Sequence, residues 1–329
     1  MKNIVTALTV FSVLLLSFPS LADTKMASYQ TFCFGRYLID VPTNAVLASS
    51  GNQYLSEDGI ESKRMSKEDF WKMISEREKV LKQQTNPGLD KYFATHFAND
   101  KDKRMLVSIA KPFGDTSYGI DTYKFTASGY AITTSSTALD DKQIKDILIS
   151  YEGYLNHVRY RSVREIPSEP GFCVDNGFVA NDGKVSQNEQ ASLYFKLKDH
   201  PDVGIRVESE VNFKAVKPML ARIKEQEVGA IADLLRRVKS MRQGERVING
   251  MHGEEALDRG PSDEQIGYAH SLAWETVGKV GDPLHPLIHF EIITGGAEGG
   301  TTTPSSMSDK EVIALYDRIV STIRIRPTR

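Results

Sequence analysis

Two stretches of this chain repeat one another closely enough to dictate its organisation. Phe32-Cys33-Phe34-Gly35 and Phe172-Cys173-Val174-Asp175-Asn176-Gly177 carry similar residues around a cysteine, and each follows the start of a segment that reads as strand. Each half then closes on a matching helix. The first runs from Asp141-Lys142-Gln143-Ile144 through Ile147, Leu148, Tyr151, Leu155 and Val158. The second runs from Asp309-Lys310-Glu311-Val312 through Tyr316, Ile319, Val320 and Ile323. Apolar residues three and four apart give each segment one helical face. Ser308 and Glu311 have the spacing of a capping box. Both helices run into basic tails, Arg159-Tyr160-Arg161 and Arg324-Ile325-Arg326. The closing helices lie further apart in sequence than the cysteines, so the second half carries extra residues. The pattern is a diverged duplication with a period too long for a solenoid.

The rest of each half mixes strands with one long helix. Ser66-Lys67-Glu68-Asp69 reads as a helix start, with a face at Phe70, Ile74 and Leu81 ended by Asn86-Pro87-Gly88. Strands are expected at Met105 to Ala110, Asp121 to Thr126 and Tyr130 to Ser135. In the second half Gly204 to Val211 alternates, with Ile205, Val207 and Val211 set against Arg206, Glu208 and Glu210. A long helix is expected from about Ala215 to Arg242, followed by strands near Glu245 to Ile248, His270 to Val277 and Leu287 to Thr294. Strands segregated from a few long helices imply an α+β fold of antiparallel sheets. Ile166-Pro167-Ser168-Glu169-Pro170 resists both helix and central strand. It is read as a linker (166–170) between two similar domains, 23–165 and 171–329.

The first 22 residues read as a cleavable export signal: Lys2, an apolar run from Ile4 to Leu16, then Ser20-Leu21-Ala22 before Asp23. Cleavage after Ala22 would leave an exported chain, periplasmic in a Gram-negative source. No later segment is apolar enough to span a bilayer, so no stable membrane insertion is expected. The 41 basic residues against 43 acidic ones, a net charge of -2, argue against a nucleic-acid partner. The two cysteines, Cys33 and Cys173, allow either one long-range disulfide or two separate buried thiols.

Catalytic signatures are missing from the sequence. There is no Gly-x-Ser-x-Gly elbow and no His-Glu-x-x-His helix. His285 and His289 are four apart beside a strand, without an identifiable third ligand. His252 and His270 stand out only because histidines are few. Gly295-Gly296-Ala297-Glu298-Gly299-Gly300-Thr301 lacks the Gly-Lys-Ser/Thr ending of a phosphate loop and opens no helix. As a binding tip, its candidates are Gly295, Gly296, Glu298, Gly299, Gly300 and Thr301. No catalytic, cofactor or metal residue is assigned. Two similar domains on a short stiff linker suit a clamp that grips another macromolecule. The competing readings are a periplasmic hydrolase using the histidines, and an envelope binding or scaffold protein.

Thr31-Phe32-Cys33-Phe34-Gly35-Arg36-Tyr37-Leu38-Ile39-Asp40-Val41-Pro42 resembles the opening of a known N-terminal domain. It is that of the periplasmic immunity proteins that neutralise type VI secretion phospholipase effectors of the fourth lipase class. Gly171 to Phe178, with Asp199-His200-Pro201-Asp202-Val203 downstream, resembles the start of that family's C-terminal domain. The resemblance implies a claw-like two-domain protein, monomeric when free, with no enzymatic activity. It implies a cognate lipase effector as partner, clamped closed by stoichiometric binding. The position of both cysteines inside the two motifs favours a Cys33–Cys173 disulfide.

Overall fold

The computed structural model describes residues 28–55, 59–85, 93–97, 100–111, 115–139, 144–226, 237–263, 266–296 and 302–329. The export signal (1–22), the helix stop at Asn86-Pro87-Gly88, the residues Asp141 to Gln143, and Glu298, Gly299, Gly300 and Thr301 lie outside them.

Among the described residues the two halves carry the same elements in the same order. The first half contains β1 (Tyr29–Phe34), β2 (Tyr37–Pro42), β3 (Ala45–Tyr54), β4 (Ile60–Arg64), α1 (Lys67–Gln83), β5 (Phe93–Phe97), β6 (Lys103–Ala110), β7 (Ser117–Phe125), β8 (Tyr130–Ala138), α2 (Ile144–His157) and β9 (Val158–Tyr160). The second contains β10 (Gly171–Val174), β11 (Gly177–Ala180), β12 (Glu189–Leu197), β13 (Gly204–Glu210), α3 (Met219–Gln226), β14 (Lys239–Ile248), β15 (Met251–Pro261), β16 (Tyr268–Glu275), β17 (Leu287–Ile293), α4 (Asp309–Val320) and β18 (Arg324–Ile325). Every strand pairing is antiparallel, and the fold is α+β.

Much of the extra length of the second half sits in its connections, among them 211–218 in place of Met65-Ser66. Residues 181–188 replace the two-residue turn Thr43-Asn44, 276–286 replace 126–129, and 294–308 replace 139–143.

The sheets show how the halves are joined. The order β4-β8-β7-β6-β5 in the first half matches β13-β17-β16-β15-β14 in the second. The second sheet continues through β12 to β3, a strand of the first half, giving the order β14-β15-β16-β17-β13-β12-β3. Equivalent strands β3 and β12 thus lie side by side and antiparallel, Tyr54 opposite Glu189 and Ala45 opposite Leu197. Two three-stranded sheets complete the join, and here the tails cross over. Strand β18 pairs with β2, while β9 pairs with β11. Each half's closing tail completes the other half's opening hairpin.

The hairpins meet back to back. Gly35 N–H donates to the Cys173 carbonyl (3.1 Å), and Cys173 N–H to the Gly35 carbonyl (2.8 Å). A disulfide joins Cys33 and Cys173, with their Cα atoms 6.0 Å apart. Gly35 (φ 53°) turns the first hairpin and Asn176 (φ 48°) the second; glycine and asparagine tolerate this left-handed backbone best. A Cβ on Gly35 would also come within 2.7 Å of the Ser209 hydroxyl.

Packing follows the same join. One core runs through both halves, from Tyr37, Ile39 and Tyr154 to Phe195, Trp274, Phe290 and Tyr316. Each such side chain contributes roughly 1.5–3 kcal/mol relative to exposure. A second core lies under α1, where Phe70, Ile74 and Leu81 meet Leu106, Tyr123 and Ala131. The Ser66 hydroxyl accepts from Asp69 N–H at the start of α1, and Ser308 and Glu311 form the capping box of α4.

The helix expected over Ala215 to Arg242 is a correction. Helix α3 begins at Met219, after Pro218, and spans Met219–Gln226; by Lys239 the chain is already in β14. Pairing with β15 carries the strand back past a register shift at Ser240/Arg242 to Lys239 opposite Arg259. Long-range pairing overrides local helical periodicity there. Helix α2 likewise ends at His157, and Val158 belongs to β9.

Candidate functional site

The glycine-rich candidates divide at Gly296. Gly295 and Gly296 form the base of their loop and are held by Asp202. Gly295 N–H donates to the Asp202 carboxylate (3.1 Å) and Gly296 N–H to the Asp202 carbonyl (3.2 Å). On the far side, Thr303 N–H donates to the Gly295 carbonyl (2.8 Å), and Gly296 bridges Thr302. Asp202 also accepts from the Ser306 N–H (3.1 Å) and hydroxyl (2.5 Å). Partial burial alone would raise the Asp202 pKa, but the hydrogen bonds from Ser306 and Gly295 bring it below the ordinary carboxylate value. The Asp in Asp199-His200-Pro201-Asp202-Val203 is therefore a clasp for the loop base.

A carboxyl held low in the fold adds stability above its unfolded pKa of about 4 and loses it as pH falls through the folded value. Asp202→Asn is therefore expected to cost about 1–2 kcal/mol at pH 7. In urea titrations the gap between variant and parent should narrow below about pH 4. A gap that is the same at pH 3 and pH 7 would sink this account of the clasp.

A second feature lies where the halves meet, on the side of the seven-stranded sheet turned away from the core. Ser49, Ser50 and Gly51 of β3, Ser192 and Tyr194 of β12, Gly204 and Arg206 of β13, and Glu291 and Ile293 of β17 enclose a groove of about 400 Å³. Small residues open it. A Cβ on Gly204 would sit 2.6 Å from the Tyr194 hydroxyl, so glycine lets that ring lie close over β13. A bulge between Tyr194 and Phe195 interrupts the β12–β3 register here, and bulges bend strands and re-aim side chains. Arg206, half exposed, pairs with Glu208 at 2.6 Å. Ile293 is 43% exposed. Tyr and Arg anchors above a floor of Ser and Gly are the residue types that protein-binding surfaces use.

The histidines do not converge. His285 Nδ1 lies 2.7 Å from Asp282, and His289 Nδ1 lies 3.1 Å from Glu275. Burial would lower the His289 pKa, but hydrogen bonds and charge from Glu275 and Glu291 lift it to about 9, so it is cationic at pH 7. His270 is buried between Thr294 (2.8 Å) and Asp309 (3.0 Å), where it ties β16 to the start of α4. His252 lines a shallow groove with Met219, Val247 and Val277. Among the described residues no three His, Cys, Asp or Glu side chains are placed to hold a metal ion.

Comparison with known proteins decides what the fold is. Residues 30–148 match the model of the Tle cognate immunity protein 4 N-terminal domain, and residues 165–328 match that of its C-terminal domain. The chain belongs to this family. Among curated proteins none matches. Among solved structures, the chain is similar to the apo immunity protein TplEi of the type VI secretion system of Pseudomonas aeruginosa. The TM-score is 0.77 at 25% identity, covering 92% of this chain and 98% of that one. It is similar to the Tle4–Tli4 complex at TM-score 0.79 and 25% identity, again covering 92% and 98%. It is also similar in fold to TplEi complexed with an "L" peptide, at TM-score 0.74 and 24% identity, covering 91% and 99%.

The family match starts its second domain at residue 165, beside Ile166. Within the family fold, the groove between the halves is the feature that sequence reasoning missed. Alternation along Gly204 to Val211 set Arg206, Glu208 and Glu210 on one side. Nothing in the sequence said that β3 of the first half would extend that sheet and complete the groove.

Proposed function

We propose that this chain is a periplasmic immunity protein that binds a cognate type VI secretion lipase effector and neutralises it without catalysis. The observation that carries the reading is the match of both family domains, supported by likeness over 92% of the chain to a solved immunity–effector complex. Neutralisation is stoichiometric. A rigid body built from two interlocked halves binds the closed lipase better than the open one and shifts its population toward the closed form. Export through residues 1–22, with cleavage after Ala22, places the protein where the effector arrives.

The groove at the β3–β12 joint is the contact surface, with Gly295 and Gly296 just beyond Ile293. Tyr194 and Arg206 are its anchors, and Ser49, Ser50 and Ser192 supply adaptable hydrogen bonds. Filling the groove by Ser192→Trp is expected to weaken effector binding at least about tenfold while leaving the thermal midpoint nearly unchanged. Binding equal to the parent's would move the contact elsewhere.

The function is tested by rescue. The neighbouring lipase is directed to the periplasm of a host that expresses this chain, with or without residues 1–22. Survival that depends on those residues is the expected result. Equal killing with and without the full-length chain would overturn the reading.

A further inference from the structure

The crossed tails have a consequence for how the halves recognise one another. Arg324 stands opposite Leu38 and Ile325 opposite Tyr37 on the edge of the first hairpin. Arg159 stands opposite Phe178, and Tyr160 opposite Gly177, on the edge of the second. Each tail opens with an arginine held by a carboxylate, Asp40 on the β2 edge itself for one and Glu169 of the linker for the other. Arg324 forks onto the Asp40 carboxylate with two 3.1 Å contacts, and Arg159 takes Glu169 at 2.7 Å.

One residue beyond each strand an arginine goes inward. Arg326 N–H donates to the Arg36 carbonyl (2.9 Å), and Arg161 N–H to the carbonyl of the equivalent turn residue, Asn176 (3.3 Å). The Arg326 guanidinium donates to the carbonyls of Pro167 (2.6 Å), Glu169 (2.8 Å) and Gly171 (2.7 Å). That of Arg161 donates to those of Gly177 (3.1 Å), Val174 (3.1 Å) and Glu165 (2.9 Å). Both guanidiniums are 3% exposed or less by residue. Arg159 and Arg326 also lie over the Phe178 ring, at 4.9 and 5.1 Å, so both tails converge on one aromatic side chain beside the disulfide.

We propose that the outer edges of β2 and β11 are binding sites for the closing tail of the opposite half, so that each half is a specific ligand of the other and covalent continuity through the linker is dispensable for their association. Antiparallel strand addition supplies main-chain hydrogen bonds, and the paired arginines supply register and selectivity. The chain is then a covalently closed form of a strand-exchanged dimer, in which the exchanged element is the tail after each closing helix. The partner that fits a vacated β2 edge is the Arg324–Arg326 segment of a second half, whether or not it shares the chain.

The test uses the full chain with a protease site inserted after Ile166, cleaved while folded and then reduced to open the disulfide. The halves are expected to remain a one-to-one species in size-exclusion chromatography and to unfold in one transition whose midpoint rises with protein concentration. Deleting residues 324–329 from the same cleaved protein should weaken their association at least about tenfold; association unchanged by that deletion would overturn the proposal. Separate elution of two folded halves, or two concentration-independent transitions, would overturn the proposal. A second measurement decides the matter if the inserted site disturbs folding. In the uncut chain, deleting residues 324–329 should speed amide hydrogen exchange at Tyr37–Leu38 on the order of 100-fold, although these residues lie at the opposite end of the sequence. Unchanged exchange there would equally overturn it.

Discussion

Replacing both cysteines, Cys33→Ala with Cys173→Ala, is expected to lower the unfolding free energy by about 4 kcal/mol. The disulfide closes a separation of 140 residues. The chain-entropy model assigns roughly 4–5 kcal/mol to a closure of that length, before any relief elsewhere. Alanine leaves no buried hydroxyl at positions that are 4% and 1% exposed, so the effect reports the cross-link itself. Urea unfolding of the alanine pair against the oxidised parent measures it, and the reduced parent should fall near the variant. A loss below about 1 kcal/mol would mean that the denatured chain is already held together without the bond.

The second large effect is expected at the Arg36–Glu189 pair, which also joins the halves. Arg36 Nε and one terminal nitrogen reach the two Glu189 oxygens at 2.8 and 2.6 Å, and the side chains are 6% and 2% exposed. Further hydrogen bonds hold both groups: Arg36 donates to the Asn181 carbonyl (3.1 Å) and amide oxygen (3.0 Å), and Gln187 donates to Glu189 (2.9 Å). Removing one partner strands a buried charge. Arg36→Met or Glu189→Leu alone should therefore cost about 3–5 kcal/mol. The double substitution, which buries no charge, should recover most of that loss. Additive losses in the double variant would show that the pair is not the coupled unit described here.

Local features of the fold were legible in the residues. The Ser66 cap, the Ser308–Glu311 capping box, the apolar stripe at Phe70, Ile74 and Leu81, and the alternation after Gly204 depend on neighbours within a few positions. The duplication could be read because the Phe-Cys pairs before the hairpin turns and the closing helices kept their residue types. What could not be read was partnership across the chain. Nothing near Arg324 says that its strand belongs with Leu38 rather than with its own half. The helix expected to reach Arg242 likewise gives way from Lys239 onward to a β15 partner that only tertiary structure supplies. For the same reason the clasp of Asp202 on Gly295 and the groove beneath Tyr194 were out of reach: each is assembled from segments tens to more than a hundred residues apart. The longer connections at 181–188, 211–218, 276–286 and 294–308 contribute most to setting the helices further apart in sequence than the cysteines.

Whether this member of the immunity family acts by binding is decided by titration of its effector. Purified protein lacking residues 1–22 is added in steps to its cognate lipase effector, with lipid hydrolysis and complex mass followed together. The account predicts a one-to-one complex, with hydrolysis falling linearly to near zero at one equivalent. Undiminished hydrolysis and no complex at several-fold excess would contradict it.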